Sequence, residues 1–408
     1  MKILVVTPYY APDLGPSAPM FTMLCEDLVA RGHAVTVLCA VPHFPSGQVS
    51  SEYRRGLWQW REENGVQVCR VRVPSGDRAN LIHRLWVFLI YQLLTTLAGL
   101  RLQYDVVLIT NPAIETGLPF AVLCWLRRKP CVYAVWDVYP EVGVRMGLFR
   151  HRAVIKWVGF LEDFCLHRAQ RIQVLSDGFR TDLARHGLAP DSIAVIPHWL
   201  DTDLIRPMPR KNSFSQAHAL DDCFVVLYAG NLGLSQGLET VLESARVLAD
   251  NSDIVFLFVG DGAGKTQLMK QAVGLDNVRF LPFQPRETLP EVLATADISL
   301  VVLKQGLGSV SLPSKLFSIL ASGRPVIASL DKGSDAWSLV QASQAGLCVS
   351  PEDPMALVQA ILSLRDDPTQ CEQMSRNGRA WAKQFHSPQS AAAKFENLFL
   401  SVMQTGKR

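Results

Sequence analysis

Short apolar runs without polar interruption recur along the chain, and the segments between them carry apolar residues every three or four positions. The first run, Ile3-Leu4-Val5-Val6, has the pattern of a parallel strand covered on both faces. Residues 7–19 read as a proline-rich loop containing Gly15, 19–30 as a helix ended by Gly32, and 34–38 as the next strand. That is one βαβ unit. Further strands fit at 66–73, 106–110, 132–135 and 172–175, and 192–201 closes the series. A second series opens at 224–229. Its first helix sets Leu234, Leu238, Val241, Leu242, Ala245 and Leu248 on one face, and strands follow at 254–259, 278–280, 298–302 and 326–328. Only helices are expected after about residue 353. Strands alternating with helices predict two doubly wound α/β domains. The predicted division is 1–205, a linker at 206–222 rich in Pro, Lys, Arg, Ser and Gln, 223–385, and a C-terminal helix at 386–408 packing back on the first domain.

Composition narrows this picture without changing it. With 408 residues, 49% of them hydrophobic and 19% charged, the chain is globular and long enough for two cores. The formal net charge of +3 gives no reason to expect a nucleic-acid partner. Nine cysteines without a C-x-x-C pair or histidine clustering fit reduced thiols in the cytoplasm, and no metal site is expected. Met1–Val6 does not read as a signal peptide, because its apolar run is broken at Pro8. Residues 85–100 carry no formal charge but fall short of the twenty or so a membrane span needs. Together with 117–126 and the cluster Arg127-Arg128-Lys129, they read either as buried helices or as a peripheral contact with an anionic membrane.

Candidate chemistry lies where strands end. In Ser311–Ser329, Pro313 suits the first turn of a helix, Leu316, Phe317, Ile319 and Leu320 form its apolar stripe, and Gly323-Arg324-Pro325 ends it. Lys315 in the first turn is unfavourable for the helix itself and makes sense if Ser314, Lys315 and Leu316 face an anion. The loop Gly230–Gly237 follows a strand, with Asn231 and Gln236 as donors, and reads as a phosphate-facing loop or a plain turn. Val259–Thr266 is glycine-rich, but its spacing is one residue short of a Walker loop, so Gly260 marks a tight turn at the ligand-binding edge. Asp137 and Glu141, near Trp136 and Tyr139, suit recognition of sugar hydroxyls or acid–base work, with helix capping by Asp137 as the alternative. His43 and His198 have either a ligand-facing or a structural reading.

These motifs, in this order, resemble the family 4 retaining glycosyltransferases. The resemblance rests on Lys2–Val6 with the Gly15 loop, Val195-Ile196-Pro197-His198-Trp199-Leu200-Asp201, Gly230–Gly237, Val259–Gly262, Phe280–Phe283 and Ala321–Ile327, and it spans nearly the whole chain. By motif it is nearest the exopolysaccharide and O-antigen enzymes of the colanic-acid fucosyltransferase and L-fucosamine transferase type. It implies the GT-B fold, two Rossmann-like domains facing a central cleft, the first binding the acceptor and the second the nucleotide-sugar. It further implies that Gly15, Gly230, Asn231, Gln236, Gly260, Ser314, Lys315 and Leu316 serve the donor, and that backbone around Leu281 and Phe283 holds the base. Lys315 would neutralise the leaving diphosphate without a metal, and Asp137 and Glu141 would orient the acceptor hydroxyl. The expected donor is a UDP-, GDP- or dTDP-sugar, which is a substrate, so no cofactor is expected. The expected acceptor is a glycan carried on a polyprenyl diphosphate at the inner face of the plasma membrane. The chain departs from the family in having Val310 and Ser318 where a Glu-x7-Glu pair is usual, and Trp136-Asp137 where His-Asp is usual. A nucleotide-sugar 2-epimerase of the same architecture and a non-catalytic nucleotide-sugar binder are the alternatives.

Overall fold

Strands form where the uninterrupted apolar runs lie, because both faces of each sheet are covered. The computed structural model describes residues 1–77, 80–137, 139–140, 151–307 and 312–405. It divides into two compact units, 1–197 with 388–408, and 198–387. In the first unit, β1 (Lys2–Val6), β2 (Ala34–Ala40), β3 (Trp58–Glu63), β4 (Val66–Val71), β5 (Val106–Thr110), β6 (Cys131–Val135), β7 (Arg171–Val174) and β8 (Ile193–Val195) make one sheet in the order β3-β4-β2-β1-β5-β6-β7-β8. Every pairing is parallel except β3 with β4. The β3–β4 hairpin, which the apolar pattern does not predict, turns through Asn64 (φ 50°) and Gly65 (φ 80°). Positive φ at both turn residues is the hairpin geometry that an Asn-Gly pair favours.

In the second unit, β9 (Phe224–Ala229), β10 (Ile254–Val259), β11 (Val278–Leu281), β12 (Ile298–Val302), β13 (Val326–Ser329) and β14 (Gly346–Val349) are all parallel, ordered β11-β10-β9-β12-β13-β14. Relative to β9 this is the 3-2-1-4-5-6 order of a dinucleotide-binding sheet. Alternate residues of β9 feed different cores. Val225 and Leu227 pack with Leu316, Leu320 and Ala336, whereas Val226 and Tyr228 pack with Leu238, Val241 and Ile361. A strand buried on both sides has no polar face to show, which is why its sequence does not alternate.

Residues 206–222, read above as a linker, belong to the second unit and contain the helix Ser213–Ala217. Its polar residues are used locally. Arg210 pairs with Asp297 at 2.9 Å, Asn212 caps the helix, and Phe214 is buried. The last helix, Pro388–Thr405, lies in the first unit against Ala18–Ala30.

Candidate functional site

In an open α/β sheet, ligands bind beyond the carboxyl ends of the strands where the order reverses. In the second unit that point lies between β9 and β12. The loop after β9 starts at Gly230 (φ 139°) and is pressed against the loop after β10. The Gly230 N–H donates to Val259 O at 2.9 Å, and Leu232 N–H donates to Asp261 O at 2.8 Å. A Cβ on Gly260 (φ 151°) would stand 1.9 Å from the Gly230 carbonyl oxygen, so only glycine allows the two backbones to meet. Gly260 therefore has a packing role. The amides of its loop are engaged inside the protein: Gly260 N–H to Leu281 O, Gly262 N–H to Asp261 Oδ1, Gly264 N–H to Leu232 O and Lys265 N–H to Gly262 O. This is a turn, not a phosphate cradle.

Lys315 begins the helix Lys315–Ser322, which Gly323 closes in the left-handed conformation (φ 64°). Leu316, Phe317, Ile319 and Leu320 anchor this helix in the core and so fix the lysine. Its ammonium donates to the Tyr228 hydroxyl and to Gln236 Oε1 at 3.1 Å, and lies 3.8 Å from the centre of the Tyr228 ring. The Tyr228 hydroxyl in turn donates to Asn231 O at 2.7 Å. All these partners are neutral, and burial pushes the Lys315 ammonium down to about 7. Burial also raises the Tyr228 phenol above its ordinary value. A half-buried ammonium held by neutral groups, beside a helix N-terminus with no side-chain cap at Ser314, is arranged to receive an anion.

Two concavities share Gly230, Lys315 and Ser318 in their walls. One is walled mainly by apolar side chains, with Phe283 and Arg286 in the lining and Ser299, whose buried hydroxyl has no partner among the described residues. The other is more polar and includes His198, Asn231, Gln236 and Ser314. The His198 ring stacks on Phe317 at 5.1 Å and 3°, and its Nδ1 is buried without a partner among the described residues. Burial, then the neighbouring His386, lowers its pKa to about 4, so it is neutral at pH 7.

The structure thus brings Gly230, Asn231, Gln236, Phe283, Ser314 and Lys315 around one site. Leu281 and Leu316 are placed differently. The Leu281 carbonyl accepts the Gly260 N–H at 3.1 Å, and the Leu316 side chain is fully buried in the core. Tyr228, Arg286 and Ser299 are site residues that the sequence reading did not single out. Ser318 does line the site, at the position where the family has a glutamate, whereas Val310 lies outside the described residues.

Gly15 and Asp137 belong to the first unit, where the order reverses between β1 and β5. Asp13 ties the loops after β1 and β2 together: Oδ1 accepts the Gly15 N–H at 2.8 Å and Oδ2 the His43 N–H at 2.8 Å. Burial alone would raise the Asp13 carboxyl, but the hydrogen bonds from His43 and Gly15 outweigh it and leave the pKa below the ordinary value. A Cβ on Gly15 would fall 2.4 Å from the Tyr9 ring. Asn111 holds the turn after β6, accepting the Trp136 N–H at 3.0 Å and donating to the Asp137 carbonyl at 2.5 Å. Burial raises the Asp137 carboxyl above its ordinary value. Glu141 lies outside the described residues. Among the described residues, no three His, Cys, Asp or Glu side chains converge as metal ligands would.

Two Rossmann-like units, each a mainly parallel sheet whose strand order reverses beside its first strand, are the architecture of the GT-B sugar transferases. Comparison with known proteins agrees. Residues 17–199 match the glycosyl transferase 4-like domain and 210–381 the glycosyl transferases group 1 model; the chain belongs to this glycosyltransferase family. WcaI of Escherichia coli (strain K12), named as a colanic acid biosynthesis glycosyl transferase, is 29% identical over 88% of this chain and 91% of its own. WbjE of Pseudomonas aeruginosa, named as a glycosyltransferase, is 28% identical over 71% of this chain and 74% of its own. Among solved structures, Anabaena Alr3699/HepE in complex with UDP superposes with a TM-score of 0.71 at 17% identity, covering 98% of this chain and all of that one. The same protein has been solved with UDP-glucose (TM-score 0.68, 17% identity, 98% of this chain and all of that one).

Proposed function

We propose that this glycosyltransferase moves a sugar from a nucleoside-diphosphate sugar to a lipid-linked glycan acceptor, with retention of configuration and without a metal, in the synthesis of a cell-surface polysaccharide. The observation that carries the reading is Lys315, a half-buried ammonium with neutral hydrogen-bond partners at a helix N-terminus. The diphosphate gains one negative charge as its bond to the sugar breaks, and a preorganised cation stabilises that developing charge. The adjoining concavity offers apolar walls with Phe283 and Arg286 beside them, a lining suited to a nucleobase. That a structural neighbour binds UDP and UDP-glucose supports a uridine donor over GDP- or dTDP-sugars. Such a donor would be met in the cytoplasm. Retention fits front-side attack in which the departing phosphate takes the acceptor's proton, with Asp137 and Glu141 orienting that hydroxyl.

The test begins with a panel of UDP-, GDP- and dTDP-sugars scored by thermal stabilisation, followed by product analysis with and without acceptor. Replacing Lys315 with Ala should lower turnover by about 10²–10³-fold with the melting temperature preserved. Turnover equal to the parent's would remove Lys315 from the site. A product formed from the donor alone would identify a 2-epimerase, and stabilisation without any turnover would identify a binder, as Ser318 in place of a glutamate would suit.

A further inference from the structure

His43 stands just past β2, in a loop that Asp13 ties to the loop after β1. The Asp13 side chain is sealed from solvent, and its Oδ2 accepts the backbone N–H of Phe44 at 3.4 Å as well as that of His43. Both loops lie at the carboxyl edge of the first sheet, beside the point where its strand order reverses. The imidazole stacks on the Tyr9 ring at 5.6 Å and 22°, and Phe44 meets the same ring edge-on at 6.0 Å. Tyr9 and Phe44 are both half-buried.

The hydrogen bonding of His43 fixes its tautomer. Nδ1 lies 3.0 Å from Val41 O and 3.4 Å from Asp13 Oδ2. A carbonyl and a carboxylate can only accept, so Nδ1 carries a proton. In the neutral ring Nε2 is then a lone pair, able to accept and not to donate. Among the described residues Nε2 pairs with nothing, and it is not one of the polar atoms sealed from solvent. Holding Val41 O needs one donor, which an asparagine could supply. The second nitrogen is surplus to that structural task.

We propose that the Nε2 lone pair of His43 accepts a hydrogen bond from a hydroxyl of the acceptor glycan, with Tyr9 and Phe44 offering apolar faces to the sugar ring. The inference rests on the reading of this chain as a transferase to a glycan, and it names a contact on the acceptor side. A sugar presents hydroxyls that donate and C–H faces that pack on aromatic rings, and both needs are met here side by side. A phosphate fits poorly. It has acceptors to offer where the site also has an acceptor, and the Asp13 carboxylate stands behind the ring.

The test uses the full chain with isotope-labelled histidine and a panel of methyl glycosides of glucose, galactose, mannose and fucose. In mildly alkaline buffer, long-range nitrogen–proton spectra of the free protein should show His43 with a protonated Nδ1 and a bare Nε2. At least one glycoside should move the Nε2 resonance saturably, and inorganic phosphate should not. His43→Asn, which keeps a donor for Val41 O, should weaken that glycoside by about three- to tenfold. His43→Gln, whose amide oxygen reaches the place of Nε2, should stay within about twofold of the parent. Affinity for UDP, read by calorimetry, should be the same in both variants. A proton on Nε2, a resonance that no glycoside moves, or rescue by Asn in place of Gln would overturn the proposal, the last by leaving His43 only its bond to Val41. The parent's spectra need no substitution, so they decide the matter even where a variant disturbs the fold. Failure of the wider reading would show elsewhere, as UDP-sugars that neither bind nor turn over, whatever the glycosides do.

Discussion

At the scale of single residues, Lys315 makes ligand binding and proton binding one event. Burial holds its pKa near 7 in the free protein, whereas a diphosphate beside it would favour the charged form. Above pH 7 the free protein has largely lost the proton that the complex keeps. Affinity for a nucleoside diphosphate should therefore fall as pH rises from about 7 towards the higher pKa of the complex. Calorimetry in buffers of different ionisation heat should show uptake of up to one proton at pH 8, and none in Lys315→Ala. Sequence alone was enough to mark Lys315, because a lysine in the first turn of a short, well-bracketed helix is locally unfavourable. Tyr228 was not legible. It sits in an uninterrupted apolar run, where one hydroxyl reaching past the strand end looks like another core aromatic. Gly260 was legible as a glycine position but not as to cause, since the backbone it accommodates, at Gly230, is thirty residues earlier in the chain.

Among the elements, the turn after β5 depends on a buried carboxyl, Glu162, that carries no motif or periodicity to mark it. Glu162 accepts the Ala113 N–H at 2.8 Å and the Tyr133 hydroxyl at 2.8 Å, and burial raises its pKa from 4.5 to about 7. Between those two values the folded chain holds a proton that the unfolded chain has released. Its contribution to stability is thus complete below about pH 4.5 and is lost as pH rises through 7. Glu162→Gln should flatten that decline, as measured by urea unfolding across pH 4–8, and an unchanged profile would place the proton elsewhere. Element legibility followed burial. The doubly covered strands were plain from their apolar runs, whereas β3, with Arg61, Glu62 and Glu63 at its polar end, lacks such a run. Its signal was the Asn64-Gly65 pair. In β14, Gly346 and Cys348 dilute the apolar pattern, and the strand is only half-buried.

For the molecule as a whole, the helix Pro388–Thr405 is the feature that most alters how the chain is read. Ala391, Ala392, Phe395, Phe399 and Val402 are buried, and Glu396 pairs with Arg31 at 3.0 Å and His33 at 2.9 Å. Phe395→Ala should cost about 3–5 kcal/mol of the first unit's stability. Hydrogen exchange should then speed up in Ala18–Ala30, β1 and β2, while β9 to β14 keep their protection. Equal loss of protection in both units would show that they unfold as one. The sequence reading expected a C-terminal helix at 386–408 packing back on the first domain, without naming its partner face on Ala18–Ala30.

That return also sets an order of manufacture. All eight strands of the first unit leave the ribosome before the second unit begins, yet the helix that covers Ala18–Ala30 emerges only after the second unit is made. At roughly 5–20 residues per second the intervening stretch takes on the order of ten to forty seconds. Through that interval the earlier-made unit must wait, its Ala18–Ala30 face uncovered and open to chaperones, while the later-made unit can already close. The half of the chain synthesised first is the half finished last.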